Sequence, residues 1–229
     1  MLEAVWAGYD DLHQQVFSRV DWNVLRPEHA IVVVVHDEAA SLLSNAFERE
    51  LLAPVLHALS QAETYALNAH DGLGVVVPHR AQRAALQEAV PQLSVLHPET
   101  GEVMGSAVDT VERFQGGERD AILVGATESD PEYLLASGKF LYDPRRLTVA
   151  LSRAKEKMVL VASRSVFEGF SADEDTFQNA QLWKNLLRRT CTKLLWEGKQ
   201  GEHNVQVWGN VSTLAHPDSE AEKSTFLAA

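Results

Sequence analysis

A single cysteine, Cys191, in 229 residues excludes an internal disulfide framework and any cysteine-rich zinc site. On a helix, such a residue is expected to be a small buried hydrophobe rather than a reactive thiol. Long apolar runs are also lacking. The longest, Ala30–Val35, is far short of the ~20 residues that a membrane span needs. No basic segment followed by an apolar stretch is present at the N-terminus, so no secretion signal and no membrane partner are expected, and the chain reads as soluble and cytoplasmic. Cationic surface is scarce, since a net charge of −12 argues against a chain coated in basic groups for nucleic acid. The nine histidines form no His-x-x-x-His or His-Glu-x-x-His pair, and no metal site is expected. A Gly-x-Ser-x-Gly elbow for a serine hydrolase is missing as well. So is a Gly-x-x-x-x-Gly-Lys-Ser/Thr phosphate loop, because Ser137-Gly138-Lys139 lacks the earlier glycine and the hydroxyl after lysine.

What is present indicates a folded α/β chain. An apolar content of 45% with five tryptophans separates it from disordered sequences. Its length suits one sizeable core, or a core plus a satellite. The excess of acids over lysine fits either a protein kept soluble in high salt or an ordinary acidic cytosolic one. The arginines nevertheless cluster, at Arg80 and Arg83, Arg113 and Arg119, and Arg145, Arg146 and Arg153, which leaves room for a local basic groove.

Val- and Ile-rich runs at Ala30–Val35, Gly74–Val77, Ala121–Gly125 and Met158–Ala162 do not alternate with polar residues, as expected of parallel strands buried on both faces. Helical spacing fills Ser41–Ser60, and good helix formers fill Ala81–Val90 up to Pro91. This rhythm predicts a three-layer α/β domain over residues 30–168. Residues 1–29 are expected to form a partly helical entry segment, and Ser171–Asp175 a polar connector. Residues 169–229 are expected to form a helical extension. It would have a helix over Asn179–Trp196, with an apolar face of Leu182, Trp183, Leu186, Leu187, Leu194 and Leu195. A short edge strand is expected at Val205–Trp208, and a frayed tail from Pro217.

Two segments carry chemistry. In Asp143-Pro-Arg-Arg-Leu-Thr-Val-Ala-Leu-Ser-Arg-Ala-Lys155, a short helix holds Arg153 directly before a strand. An arginine fixed this way presents a planar fork of donors to a phosphate. In Thr110-Val-Glu-Arg-Phe-Gln-Gly-Gly-Glu-Arg-Asp120, the Gly116-Gly117 pair allows a tight turn and close backbone approach to a ligand. Gln115 offers a donor and an acceptor, and Glu118 an acceptor suited to a ribose hydroxyl. In their order, the two segments resemble motifs VI and V of superfamily-one helicases of the up-frameshift-like and DNA-replication-helicase group. Three departures are conservative: Thr148 stands for asparagine, Ser152 for threonine and Glu112 for aspartate. Gly74-Val-Val-Val-Pro-His-Arg-Ala-Gln-Arg83 is similar to the family's strand-threonine-proline-tyrosine-x-x-glutamine element. Here Val77 replaces the phosphate-binding threonine, and His79 replaces the tyrosine. Arg80 and Arg83 either add positive charge to that element or simply decorate a solvated helix start. Asn45-Ala-Phe-Glu48 resembles the asparagine-x-x-glutamate of the family's first helix in this domain.

The resemblance implies a RecA-like domain of the P-loop-NTPase type that lacks its own phosphate loop. It would be the second motor domain of an ATP-dependent helicase or translocase. Arg153 would be the arginine finger, and Gln115, Gly116, Glu118 and Arg146 would lie on the nucleotide side. Thr110, Pro78, His79 and Gln82 would lie on the nucleic-acid side. The implied cofactor is ATP with Mg2+, whose metal ligands would come from the first motor domain. The implied partners are single-stranded DNA or RNA and that first motor domain, in the same or a separate chain. Ile31–Ala40 has the look of a Walker B strand, with Asp37 and Glu38 at its end, but no phosphate loop precedes it. It is expected instead to be the first strand of the second domain. The rival reading is a catalytically incomplete RecA-like binding or regulatory module left by truncation of a gene.

Overall fold

Runs of valine are at home only in strands covered on both faces, and the computed structural model covers them in that way. It describes residues 24–26, 28–60, 67–110, 117–171 and 173–211, without the side chains of Arg146, Val149, Ala150 and Leu151. The elements are β1 (Ile31–His36), α1 (Ala46–Ser60), β2 (Leu73–Val77), α2 (Arg80–Ala89), β3 (Ser94–Leu96), β4 (Val103–Ser106), β5 (Val108–Thr110) and β6 (Arg119–Gly125). There follow α3 (Pro131–Ser137), α4 (Pro144–Arg153), β7 (Ala154–Ser163), α5 (Arg164–Glu168), α6 (Glu174–Asn185), a π-helical turn (Leu186–Thr190), β8 (Lys193–Gln200) and β9 (His203–Gly209). Seven strands form one sheet in the order β5-β2-β6-β7-β1-β9-β8, and β3 pairs with β4 in a separate ribbon. The five strands from β5 to β1 are parallel, while β9 and β8 are antiparallel additions beyond β1.

Alternate residues of each strand serve opposite layers. Val32 and Val34 face a core built with Leu52, Leu56 and Leu59 of α1 and Leu86 of α2. Val33 and Val35 face the other core, built with Leu134 of α3, Leu147 of α4, Phe167 of α5 and Trp183 of α6. The helices start where side chains can cap them. Asp130 and Asp143 accept from the backbone N–H groups of Tyr133 and Arg145, each with proline at the first helical turn, and Asp173 accepts from that of Thr176. The result is a three-layer α/β fold of the RecA-like kind, as the sequence predicts. Among the described residues no helix is long and apolar enough to cross a membrane.

The C-terminal part departs from the expected helical extension. Leu194 and Leu195, assigned above to a helix face, lie on β8, because the helix widens into the π turn and stops before Cys191. The Val205–Trp208 run is not an edge strand. β9 lies inside the sheet between β1 and β8, and the edge belongs to β8. The hairpin that places it there turns at Gly201, whose φ of 59° lies in the left-handed region that glycine tolerates. Sheet pairing therefore continues past residue 168. Most of the expected entry segment and the tail from Pro217 lie outside the described residues.

The segment entering β1 is fastened by a buried cation. Lys157, on β7 and only 2% exposed, donates from Nζ to the carbonyls of Arg26 and His29 at 2.6 Å each. His29 in turn places Nδ1 2.6 Å from the Asn210 carbonyl, whose side chain accepts from the Ile31 N–H. Burial pushes the Lys157 pKa down to about 7. An unfolded lysine keeps its proton to about 10.4, so between those values the unfolded chain binds more protons and stability rises with pH. Comparing denaturation midpoints at pH 7 and pH 9 for wild type and Lys157→Met should show the wild type gaining relative to the variant at the higher pH. Parallel pH profiles would rule out this account of Lys157.

Candidate functional site

Parallel strands bring chain segments together at their ends, and ligands in such sheets bind outside the carboxyl ends. Here the loops after β1, β2, β6 and β7 meet in a buried polar network. Glu38, just past β1, accepts at Oε2 from Asn45 Nδ2 (2.8 Å) and Ser129 Oγ (2.7 Å), and at Oε1 from the Ala40 N–H (2.8 Å) and Ser41 Oγ (3.2 Å). Burial by itself would raise the Glu38 pKa, but these four hydrogen bonds outweigh it and hold the carboxylate below its ordinary value. Asn45 caps α1 by accepting from the Glu48 N–H at 2.9 Å, and its amide also donates to the Thr127 carbonyl at 3.2 Å. Glu48 Oε2 accepts from the Thr127 N–H at 2.8 Å. Gly125, at the end of β6, leaves the room: a Cβ there would sit 3.0 Å from that same Glu48 oxygen.

Thr127 pays for these contacts with a φ of 66°, an uncommon conformation for a β-branched residue. Its hydroxyl and Glu128 Oε2 are both buried without a hydrogen-bond partner among the described residues. Held strain of this kind collects at functional sites. Glu128 Oε1 lies 2.7 Å from His79 Nε2, and the His79 ring stacks on Phe140 with centroids 5.7 Å apart. Thr110 pairs in register with Val77, so Thr110, Pro78 and His79 sit side by side on neighbouring strand ends. Thr110 and Pro78 are buried, and His79 keeps partial exposure.

Gln82 requires a correction. It was assigned to the nucleic-acid face but is wholly buried. Its Oε1 accepts from the Asn45 N–H, Ser44 Oγ and Arg49 Nη1, and its Nε2 donates to the Asn45 carbonyl. With its polar atoms engaged inside the chain, Gln82 locks α2 to the start of α1 and does not present them to a ligand. Arg83 pairs with Asp109 at 3.0 Å, while Arg80 is exposed. Asp37 accepts from the N–H and side-chain amide of Asn204 and lies 3.1 Å from His203 Nδ1, which fastens β1 to the β9 hairpin.

Two more of the predicted residues, Glu118 and Arg153, lie at the opposite edge. Register pairs Arg119 with Ala154, which brings Glu118 and Arg153 to adjacent strand starts. Glu118 is exposed. Arg119 Nη1 donates to the Glu118 carbonyl at 3.0 Å, and Lys155 lies 3.6 Å from Asp120. Arg153 is half-buried at the end of α4, and its Nε is buried with no hydrogen-bond partner among the described residues. Arg146 lies on the first turns of the same helix. Gln115 and Gly116 lie outside the described residues. The seven residues of β6 separate the two edges by about 20 Å at ~3.3 Å per residue. Thr127, Glu128 and Ser129 were missed by motif reading, and Glu38 was noted only in a Walker B pattern that was set aside. Their signal was positional, directly after apolar strand runs. Among the described residues no group of three or more His, Cys, Asp or Glu side chains is placed to hold a metal ion.

Comparison with known proteins gives this geometry a family context. Residues 21–165 match the family model described as "AAA domain". The chain is 26% identical over 148 residues to the DNA replication ATP-dependent helicase/nuclease JHS1 of Arabidopsis thaliana, covering 62% of the chain and 10% of that protein. It is 32% identical over 117 residues to the regulator of nonsense transcripts 1 homolog of Drosophila melanogaster, covering 51% and 9%. With the DNA replication ATP-dependent helicase/nuclease DNA2 of Mus musculus it shares 36% identity over 98 residues, covering 43% and 8%. The matched region thus spans about a tenth of the length of these relatives.

Glu48 gives the network a direct test. Burial raises its pKa, only partly countered by His36 at 3.5 Å and by the Thr127 N–H. The folded state therefore favours the protonated form, and this contribution is lost as pH rises above the ordinary glutamate range. Glu48→Gln keeps an acceptor for Thr127 and removes the ionisable group. It should melt at or above the wild-type temperature at pH 8, whereas Glu48→Ala should lose about 2–4 kcal/mol through the cavity and the orphaned N–H. Equal losses in both variants would mean that the charge itself is required.

Proposed function

This chain belongs to the AAA domain family, as a superfamily-one helicase motor domain of the up-frameshift-like group, and on that premise we propose that it is the second motor domain of an ATP-dependent helicase or translocase. The observation that carries the proposal is the placement of Glu118 and Arg153 at neighbouring strand starts on one sheet edge, with an Arg153 Nε that has no partner among the described residues. An arginine held by a helix end and lacking an internal acceptor suits a partner that arrives with bound nucleotide. ATP with Mg2+ supplies the transferable phosphoryl group and its counter-charge, with the metal ligands coming from the first motor domain.

In this reading Arg153 stabilises charge on the phosphoryl group in transit, a contribution typically worth roughly 10³–10⁵ in rate. Glu118 accepts from a ribose hydroxyl, and Gln115, Gly116 and Arg146 complete the nucleotide side. At the other edge, partly exposed His79 faces a single strand of DNA or RNA, with buried Thr110 and Pro78 shaping the surface beneath it. His79 is positioned for this by the Glu128 carboxylate and the Phe140 ring. The distance of about 20 Å between the edges lets one rigid sheet carry a change at the nucleotide to the strand.

ATP turnover should be absent for the purified chain and appear, stimulated by single-stranded nucleic acid, when a first motor domain of the same group is added. Arg153→Ala should cut that turnover by at least a thousand-fold at an unchanged melting temperature. Helicase-like turnover by the chain alone, or a mixture indifferent to Arg153→Ala, would sink the proposal.

A further inference from the structure

A cleft of about 260 Å³ opens on the sheet face opposite α1, at the junction of β9 with α5, α6 and the π-helical turn. It lies outside every segment that resembles a helicase motif. Three cations reach it from three separate elements: Arg164 from α5, Lys184 from α6 and Arg188 from the π turn. Among the described residues that line it, Glu168 is the one acid, with Glu197 behind Gln206, in a chain where acids outnumber basic residues 32 to 20. The wall between the cations is aromatic. Trp208 is half-buried, and its Nε1 donates to Gln206 Oε1 at 3.3 Å. Arg164 Nη2 donates to the same oxygen at 3.3 Å, and Gln206 is itself held by Glu197, which accepts from its Nε2 at 2.7 Å. One glutamine thus orients both the indole and a guanidinium. Arg188 projects from a π-helical turn, a local irregularity found mostly where function requires it.

Phosphate-binding cations around an aromatic platform are the chemistry of single-strand recognition, in which bases stack and the backbone tracks a basic groove. We propose that this cleft binds single-stranded nucleic acid, with one base against Trp208 and neighbouring phosphates on Arg164, Lys184 and Arg188. The proposal rests on the reading of the chain as a strand-engaging motor domain and extends its track. β9 pairs with the end of β1, so Gln206 lies level with Val35 near the carboxyl edge that also carries His79. From β2 to β9 the sheet crosses four strand spacings, about 19 Å at ~4.8 Å each. A few nucleotides laid along that edge would reach from His79 to Gln206, below which Trp208 lies on the sheet face level with Val33. The β9 side of the sheet would then grip the strand in addition to the motif-bearing side.

Fluorescence anisotropy with labelled oligo-dT and oligo-U, across a series of salt concentrations, tests this on the purified chain. Arg188→Ala, at an exposed side chain, should weaken binding several-fold and lower the salt slope by about 0.7. Trp208→Leu should weaken it roughly five- to a hundred-fold with the slope unchanged. Glu168→Gln should tighten it, a gain that a misfolded variant cannot mimic. Wild-type affinity and slope in both Arg188→Ala and Glu168→Gln would overturn the proposal, as would absence of oligonucleotide binding at low salt. Displacement by equimolar inorganic phosphate would assign the cleft to a free anion and overturn it as well. The motor reading stands or falls separately, on ATP turnover and Arg153 at the other sheet edge.

Discussion

A sheet covered by helices on both faces leaves its polar chemistry only two places to go, the ends of the strands. The placement of the buried polar networks along the parallel strands follows from that constraint. Val32 to Val35, Val75 to Val77, Ile122 to Val124 and Met158 to Ala162 are all buried, and no polar group could stand among them unpaired without a cost of several kcal/mol. Charged and hydrogen-bonding residues therefore collect at the amino edge, around Glu118 and Arg153, and at the carboxyl edge, around Glu38, Glu128 and His79. Lys157 is the exception within a strand, and it is tolerated because two backbone carbonyls receive its ammonium group.

The carboxyl edge is held by reciprocal bonds rather than by packing. Asn45 joins the loops after β1 and β6 to helix α2, through Glu38, Thr127 and Gln82. A buried hydrogen-bond network of this kind fixes geometry more sharply than apolar contacts do, because each partner left unmade carries a desolvation penalty. It also supports a loop that would not be stable on its own. Thr127 keeps its left-handed backbone because Glu48 and Asn45 take its N–H and carbonyl. That loop in turn aims Glu128 at His79. Rigidity around α1 and strain in the loop after β6 are two sides of one arrangement.

Much of this was legible in the chain itself. The non-alternating valine runs gave the parallel strands, since such runs cannot sit half in water. The ordered segments around Glu118 and Arg153 gave the family, because the chemistry of phosphate contact restricts which residues can occupy those positions. Gln82 was misplaced because a sequence pattern records that a side chain is needed without recording where it points. Leu194 and Leu195 were misread for a related reason: a short apolar cluster after a helix fits a further helical turn or a strand equally well. Only pairing with β9 decides between them.

By itself, the sequence determined the layers, the central parallel strands β1, β2, β6 and β7 and the two segments that resemble the family's motifs, because periodicity and residue chemistry are local properties. Tertiary structure alone decided which residues share an edge. Strand order and register bring Glu118 beside Arg153 and carry Thr110, Pro78 and His79 to the far side. They also set Trp208 among cations from three distant helical elements. Those juxtapositions join residues about 20 to 44 positions apart, which no local pattern encodes.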